Sequence, residues 1–140
     1  MIKVSSNGTI RRYVKYLTLS SGKTAMFKVD FQWKSTLACF GIGACVAKNK
    51  KAARAWYNGK SNKLDNKITG DCNLEAFIFF KKCFEEVNNL LETLNTAAVV
   101  CVEGTDERRR SAYRYVKRYG YEEEVNFDGE TYYCKYFFKD

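Results

Sequence analysis

Proline and histidine are both missing from the 140 residues. Without proline there is no proline-rich linker, and no repeat or low-complexity run divides the chain. Residues 1–140 are therefore expected to form a single domain. Without histidine, Ser-His and Cys-His nucleophilic catalysis are excluded. Any general acid or base has to be Glu, Asp, Tyr, Cys or Lys. Metal binding loses its commonest ligand as well. The six cysteines, at 39, 45, 72, 83, 101 and 134, include no Cys-x-x-Cys pair. Their spacing does not resemble a structural zinc site, so no metal is expected.

Long apolar runs are also absent. None reaches the roughly 18 residues of a membrane span. The opening "MIKVSSNGTIRR" has no apolar core of a secretory signal. The expectation is a cytoplasmic protein with no membrane partner and with its cysteines as reduced thiols.

Acids are scarce in one half. Residues 1–70 carry 14 Lys or Arg against Asp30 and Asp65, a net of +12. Residues 71–140 carry 10 against 14 acids, a net of −4. A chain charged this way is expected to have one basic face, suited to nucleic acid, an acidic protein or a phosphorylated cofactor, or simply solvated.

What the chain has in quantity is apolar and aromatic bulk: 46% hydrophobic residues, with 10 Tyr, 10 Phe and 2 Trp. That is enough for one ordinary core and rules out a disordered chain. The β-branched and aromatic stretch 9–19 reads as a strand. In 24–33, Met26, Lys28 and Asp30 alternate with Phe27, Val29, Phe31 and Trp33, predicting a half-buried strand. The run 36–47 predicts a buried strand in which Gly41 and Gly43 mark a bulge or a close backbone approach. "KNKK" at 48–51 reads as a hairpin turn and 52–59 as the return strand.

A helix is predicted from Asn73, capped by Asp71 or Asn73. Its apolar stripe is Phe77, Phe80, Phe84, Val87, Leu91 and Leu94, widened by Leu74, Ala76, Phe79, Cys83 and Leu90. A short buried strand follows at 97–104. A second helix is expected over 105–120, with Ala112, Tyr115, Val116 and Tyr119 inward and Gly120 at its stop. The tail is a hairpin around Asp128-Gly129. A helix between strands is a crossover, so part of the sheet should be parallel. The class is α+β, with a mixed, largely antiparallel sheet of about seven strands and two main helices.

The segment Lys67-Ile68-Thr69-Gly70-Asp71-Cys72, then a long helix, a strand, a helix ending "AYRYVKRYGYEEE" and a hairpin, resembles the GNAT superfamily of N-acyltransferases. In that family a strand runs into a loop of pattern Gln/Arg-x-x-Gly-x-Gly/Ala ahead of the long helix. The resemblance covers residues 52–138 and rests on element order. It implies acetyl-CoA as cofactor, an amine as acceptor, and Lys67 to Asn73 as the loop that holds the pyrophosphate. Helix-terminal N–H groups and the helix dipole favour an anion there, and Gly70 permits close approach. The family's tyrosine acid falls at Val116, so Tyr113 and then Tyr115 stand as substitutes. Glu103 is the candidate base. The two helices that usually follow the family's first strand have no counterpart in residues 9–47.

Arg108, Arg109, Arg110 and Arg114, interleaved with tyrosines, form a candidate surface for nucleic acid or a protein partner. The alternative function is accordingly a non-catalytic protein on the same scaffold, like some small phage-encoded relatives. It would inhibit a host defence protein or nucleoprotein through its basic surface.

Overall fold

The computed structural model describes residues 2–4, 10–34, 37–57, 74–93, 98–102, 114–125, 129 and 131–137. Strands β2 (Ile10–Thr18), β3 (Thr24–Lys34) and β4 (Leu37–Ala47) form an antiparallel meander, and the short β1 (Ile2–Val4) lies along the outer edge of β2. Helices α1 (Lys50–Tyr57) and α2 (Leu74–Glu92) lie between β4 and β5 (Ala98–Val102). A 3-10 helix (Arg114–Tyr119) and the hairpin β6 (Glu122–Val125) and β7 (Thr131–Phe137) complete the described chain. The sheet order is β1-β2-β3-β4-β5-β7-β6. Its one parallel step is β4–β5, and β7 inserts antiparallel between β5 and β6. The class is α+β with a mostly antiparallel mixed sheet.

The β2–β3 turn shows how local chemistry fixes register. Gly22 N–H donates to Leu19 O at 2.9 Å and Leu19 N–H to Lys23 O at 2.8 Å. Gly22 has φ +87°, which a side chain would resist. Thr18 then faces Thr24, and the pairing runs unbroken to Arg12 and Asp30.

Alternation splits the sheet into two faces. Tyr13, Phe27, Val29, Phe40, Ile42, Val100, Val102, Tyr133 and Phe137 point to one side and form the main core with α2 and the 3-10 helix. From α2, Ala76, Phe80, Cys83, Phe84, Val87 and Leu91 are buried there. Phe84 sits edge-on to Tyr115, Tyr119 and Tyr121, at centroid distances of 5.6, 5.2 and 5.3 Å. Val14, Met26, Cys45 and Ala47 point to the other side, where Ala52 and Ala53 of α1 cover them.

Several expectations are corrected. The expected return strand over 52–59 is, in its described part up to Tyr57, a helix, and 48–51 is not a hairpin turn, because α1 starts at Lys50. Asn49 caps it: its Oδ1 accepts from Ala52 N–H at 2.8 Å. The physical reason lies in the composition of "KKAARAWY", which has three alanines and no β-branched residue. No strand was expected at Ile2–Val4. Over Thr24–Val29, β3 is buried on both sides, with Met26 0% exposed and Lys28 9%, and it is half-buried only from Asp30, where Gln32 is exposed. The β3–β4 register passes through Gly41 and Gly43 with no bulge. Leu74 does not widen the inner stripe of α2; it is 73% exposed and shares the outward face with Ile78. Of the expected second helix, the described part is a tighter 3-10 helix closed by Gly120 at φ +91°. Residues 105–113 lie outside the described residues, as do Leu94 and Asp128.

Candidate functional site

The parallel step organises the molecule. β4 pairs with β5 from Ala38–Ala98 to Ile42–Val102, while β4 itself continues to Ala47. Over Gly43–Ala47, β4 keeps its β3 neighbour but has no β5 partner among the described residues. In sheets with parallel crossovers, ligands gather at the C-terminal ends of the strands, which for β4 is Ala47. The first turn of α2 is at this same edge. Glu75 Oε1 accepts from Ser20 N–H at 3.0 Å and Ser20 Oγ–H at 2.9 Å, tying α2 to the β2–β3 turn. Thr24, at the start of β3, faces Ala47 at the end of β4.

Most sequence-derived site residues lie outside the described residues: Lys67, Ile68, Thr69, Gly70, Asp71, Cys72 and Asn73, Glu103, Tyr113, and Arg108, Arg109 and Arg110. In sequence, Lys67 to Asn73 directly precede α2, and Glu103 directly follows β5. Two candidates are described. Arg114 opens the 3-10 helix and is exposed. Tyr115 is half-buried, edge-on to Phe77 at 5.4 Å and to Phe84 at 5.6 Å. Val116, at the family's tyrosine position, is 0% exposed. These two residues serve the core.

The face opposite α2 holds a polar group that sequence reasoning did not assemble. Lys28 Nζ donates to Asp30 Oδ2, and its side chain is 11% exposed. Across from these residues in the ladder stand Gly43 and Gly41. Gly41 is paired with Cys101, Cys101 with Cys134, and Cys134 with Glu122. The Cys101 and Cys134 sulfurs are 3.7 Å apart. Beside them Tyr132 donates to Glu124 Oε2 at 3.3 Å. Burial, with Glu124 adding, pushes the Tyr132 phenol up to about 12, so it stays protonated at neutral pH. The available signal was alternation: Lys28 and Asp30 share one parity in β3, and Gly41 and Gly43 share one in β4. Only strand order puts Cys101 beside Gly41.

On the α2 face, Tyr13 O–H and Lys15 Nζ donate to Glu86 Oε2 at 3.2 and 2.7 Å. Burial, helped by Cys83 and Glu86, holds the Tyr13 phenol far above its ordinary value. It donates and does not ionise, which suits a buried tie between β2 and α2. Cys39, Cys45, Cys83, Cys101 and Cys134 are thiols rather than disulfides. Among the described residues, no group of three or more Cys, Asp or Glu is placed to hold a metal. No helix among them is long and apolar enough to cross a membrane.

Compared with protein-family models, curated proteins and solved structures, the chain matches none.

Proposed function

We propose that the chain is a GNAT-like N-acetyltransferase that moves an acetyl group from acetyl-CoA to an amine. One observation carries the reading: α2 begins beside the C-terminal end of β4, the strand that makes the parallel step, where Glu75 is tied to the β2–β3 turn. An extended thioester would lie along this edge, and the segment Lys67 to Asn73 leads directly into the helix N-terminus. The pyrophosphate would lie against the backbone of that segment, with Lys67 adding charge and Gly70 permitting close approach. Glu103 follows the last residue of β5, Val102, and we assign it as the base. Tyr113 is the assigned acid, since Tyr115 packs between Phe77 and Phe84. Holding thioester and amine together supplies much of the rate, because proximity removes the entropy cost of encounter.

The burial of Val116 favours a second reading. A scaffold whose usual acid position is part of the core suits a non-catalytic protein. It would act on a host protein or nucleoprotein through the basic N-terminal half.

Thermal denaturation with acetyl-CoA separates the two. A ligand that binds only the folded state raises its stability. The first reading expects an upward shift with acetyl-CoA and with desulfo-CoA, lost in a folded Gly70→Val variant and reduced less in Lys67→Ala. No shift with any CoA species at millimolar concentration defeats it. A shift unchanged by Gly70→Val puts the ligand elsewhere.

A further inference from the structure

We propose that Cys101 and Cys134 form an oxidation site, a dithiol that a hydroperoxide converts into a disulfide across β5 and β7. The two residues are direct partners in the antiparallel ladder, 33 residues apart in sequence, with sulfurs 3.7 Å apart. Paired residues on antiparallel strands have Cα atoms about 4.5–5.5 Å apart, inside the range of about 4.4–6.8 Å that a disulfide spans. Closing the bond to about 2.05 Å therefore asks for side-chain rotation, with no new strand register.

The surroundings divide the roles. Cys101 is half-exposed and Cys134 only 4% exposed. The contact with Cys101, followed by burial, holds the Cys134 proton tightly. Cys101 is then the sulfur an oxidant reaches first, because the thiolate is the nucleophile and access limits the rate. Its thiolate attacks hydrogen peroxide; the S–O bond forms, the O–O bond breaks, and the departing hydroxide takes a proton to become water. Cys134 sulfur then attacks the Cys101 sulfenic sulfur. The S–S bond forms, the S–O bond breaks, and the leaving hydroxide takes the Cys134 proton as a second water. Two thiols have lost two electrons, and the peroxide has gained them.

The other described cysteines are placed differently. Cys39 donates to Leu37 O within its own strand. Cys45 lies under α1, and Cys83 is on α2 on the opposite face of the sheet. Cys101 also pairs with Gly41 of β4. The disulfide would consequently tie the C-terminal hairpin to the strand that makes the parallel step.

The test is stoichiometric hydrogen peroxide on the reduced full-length chain, followed by non-reducing peptide mass mapping. The first product expected is a Cys101–Cys134 cross-linked peptide, lighter by two hydrogens and reversed by dithiothreitol, with the thermal midpoint raised. Cys134→Ser is expected to strand Cys101 as a sulfenic acid that dimedone traps, whereas Cys101→Ser leaves Cys134 unreacted. A different first pair, or conversion of single cysteines to sulfinic acid with no 101–134 link, overturns the proposal. The wild-type map decides even where a serine variant fails to fold.

Discussion

The two faces of the sheet are built by opposite means. Toward α2 the side chains are large: Tyr13, Phe27, Phe40, Phe84, Tyr121 and Tyr133 are all buried together. Toward α1 fewer side chains are large: Ala52 and Ala53 pack against Val14, Met26, Cys45 and Ala47, with Lys28, Asp30, two glycines and two thiols further along. The first face holds the fold by area, since apolar burial contributes about 25 cal/mol per Å². The second brings backbone and helix close and keeps reactive groups. Large aromatic burial and the Lys28–Asp30 and Cys101–Cys134 pairs thus occupy different sides of the same strands.

Truncation on the large face should have the greatest effect. Phe84 is 1% exposed and touches three tyrosine rings. Phe84→Ala is expected to cost about 3–5 kcal/mol, read from the urea midpoint. A wild-type midpoint would mean that α2 does not carry the core.

The small face should fail in the other direction, by overfilling. Ala53, on the face of α1 that packs against the sheet, is 0% exposed. Ala53→Leu is expected to cost about 1–3 kcal/mol, because added methylenes push α1 off the sheet. An unchanged urea midpoint would show that α1 does not pack there.

The smallest effect belongs to one atom of the large face. Tyr121 is 1% exposed, and its hydroxyl has no hydrogen-bond partner among the described residues. Tyr121→Phe is expected to be near neutral or slightly stabilising at pH 7. Burial, with Cys134 and Glu92 adding, raises the Tyr121 pKa. The folded state then holds that proton more tightly than the unfolded chain. The contribution is whole below the ordinary tyrosine value of about 10 and falls as pH rises above it. Denaturation measured through this range should give a shallower alkaline loss in Tyr121→Phe. An equal slope would mean that the phenol is not buried.

Much of the large face was legible in the sequence. Steps of three and four fix Phe80, Phe84, Val87 and Leu91 on one side of a helix wherever that helix lies. Alternation fixes Phe27 and Val29 against Lys28 and Asp30. Local rules of this kind need only the backbone period. The hairpin at the tail and the left-handed glycine at 120 were legible for the same reason. The helix over Lys50–Tyr57 was misread because a short alanine-rich stretch after an apolar strand has no period long enough to decide. Of the expected cradle, Lys67 to Asn73 falls outside the described residues.

By itself, then, the sequence determined which side chains share a face, where α2 runs, that a crossover exists, and that histidine chemistry is excluded. Tertiary structure alone decided that β7 inserts between β5 and β6, that β4 and β5 are the parallel neighbours, and that Cys101 meets Cys134. It also decided that Lys28 is buried on a face the pattern marks as polar. Those outcomes depend on pairing between strands far apart in the chain. No local period encodes such pairing; it is chosen by how much apolar surface the whole sheet can bury at once.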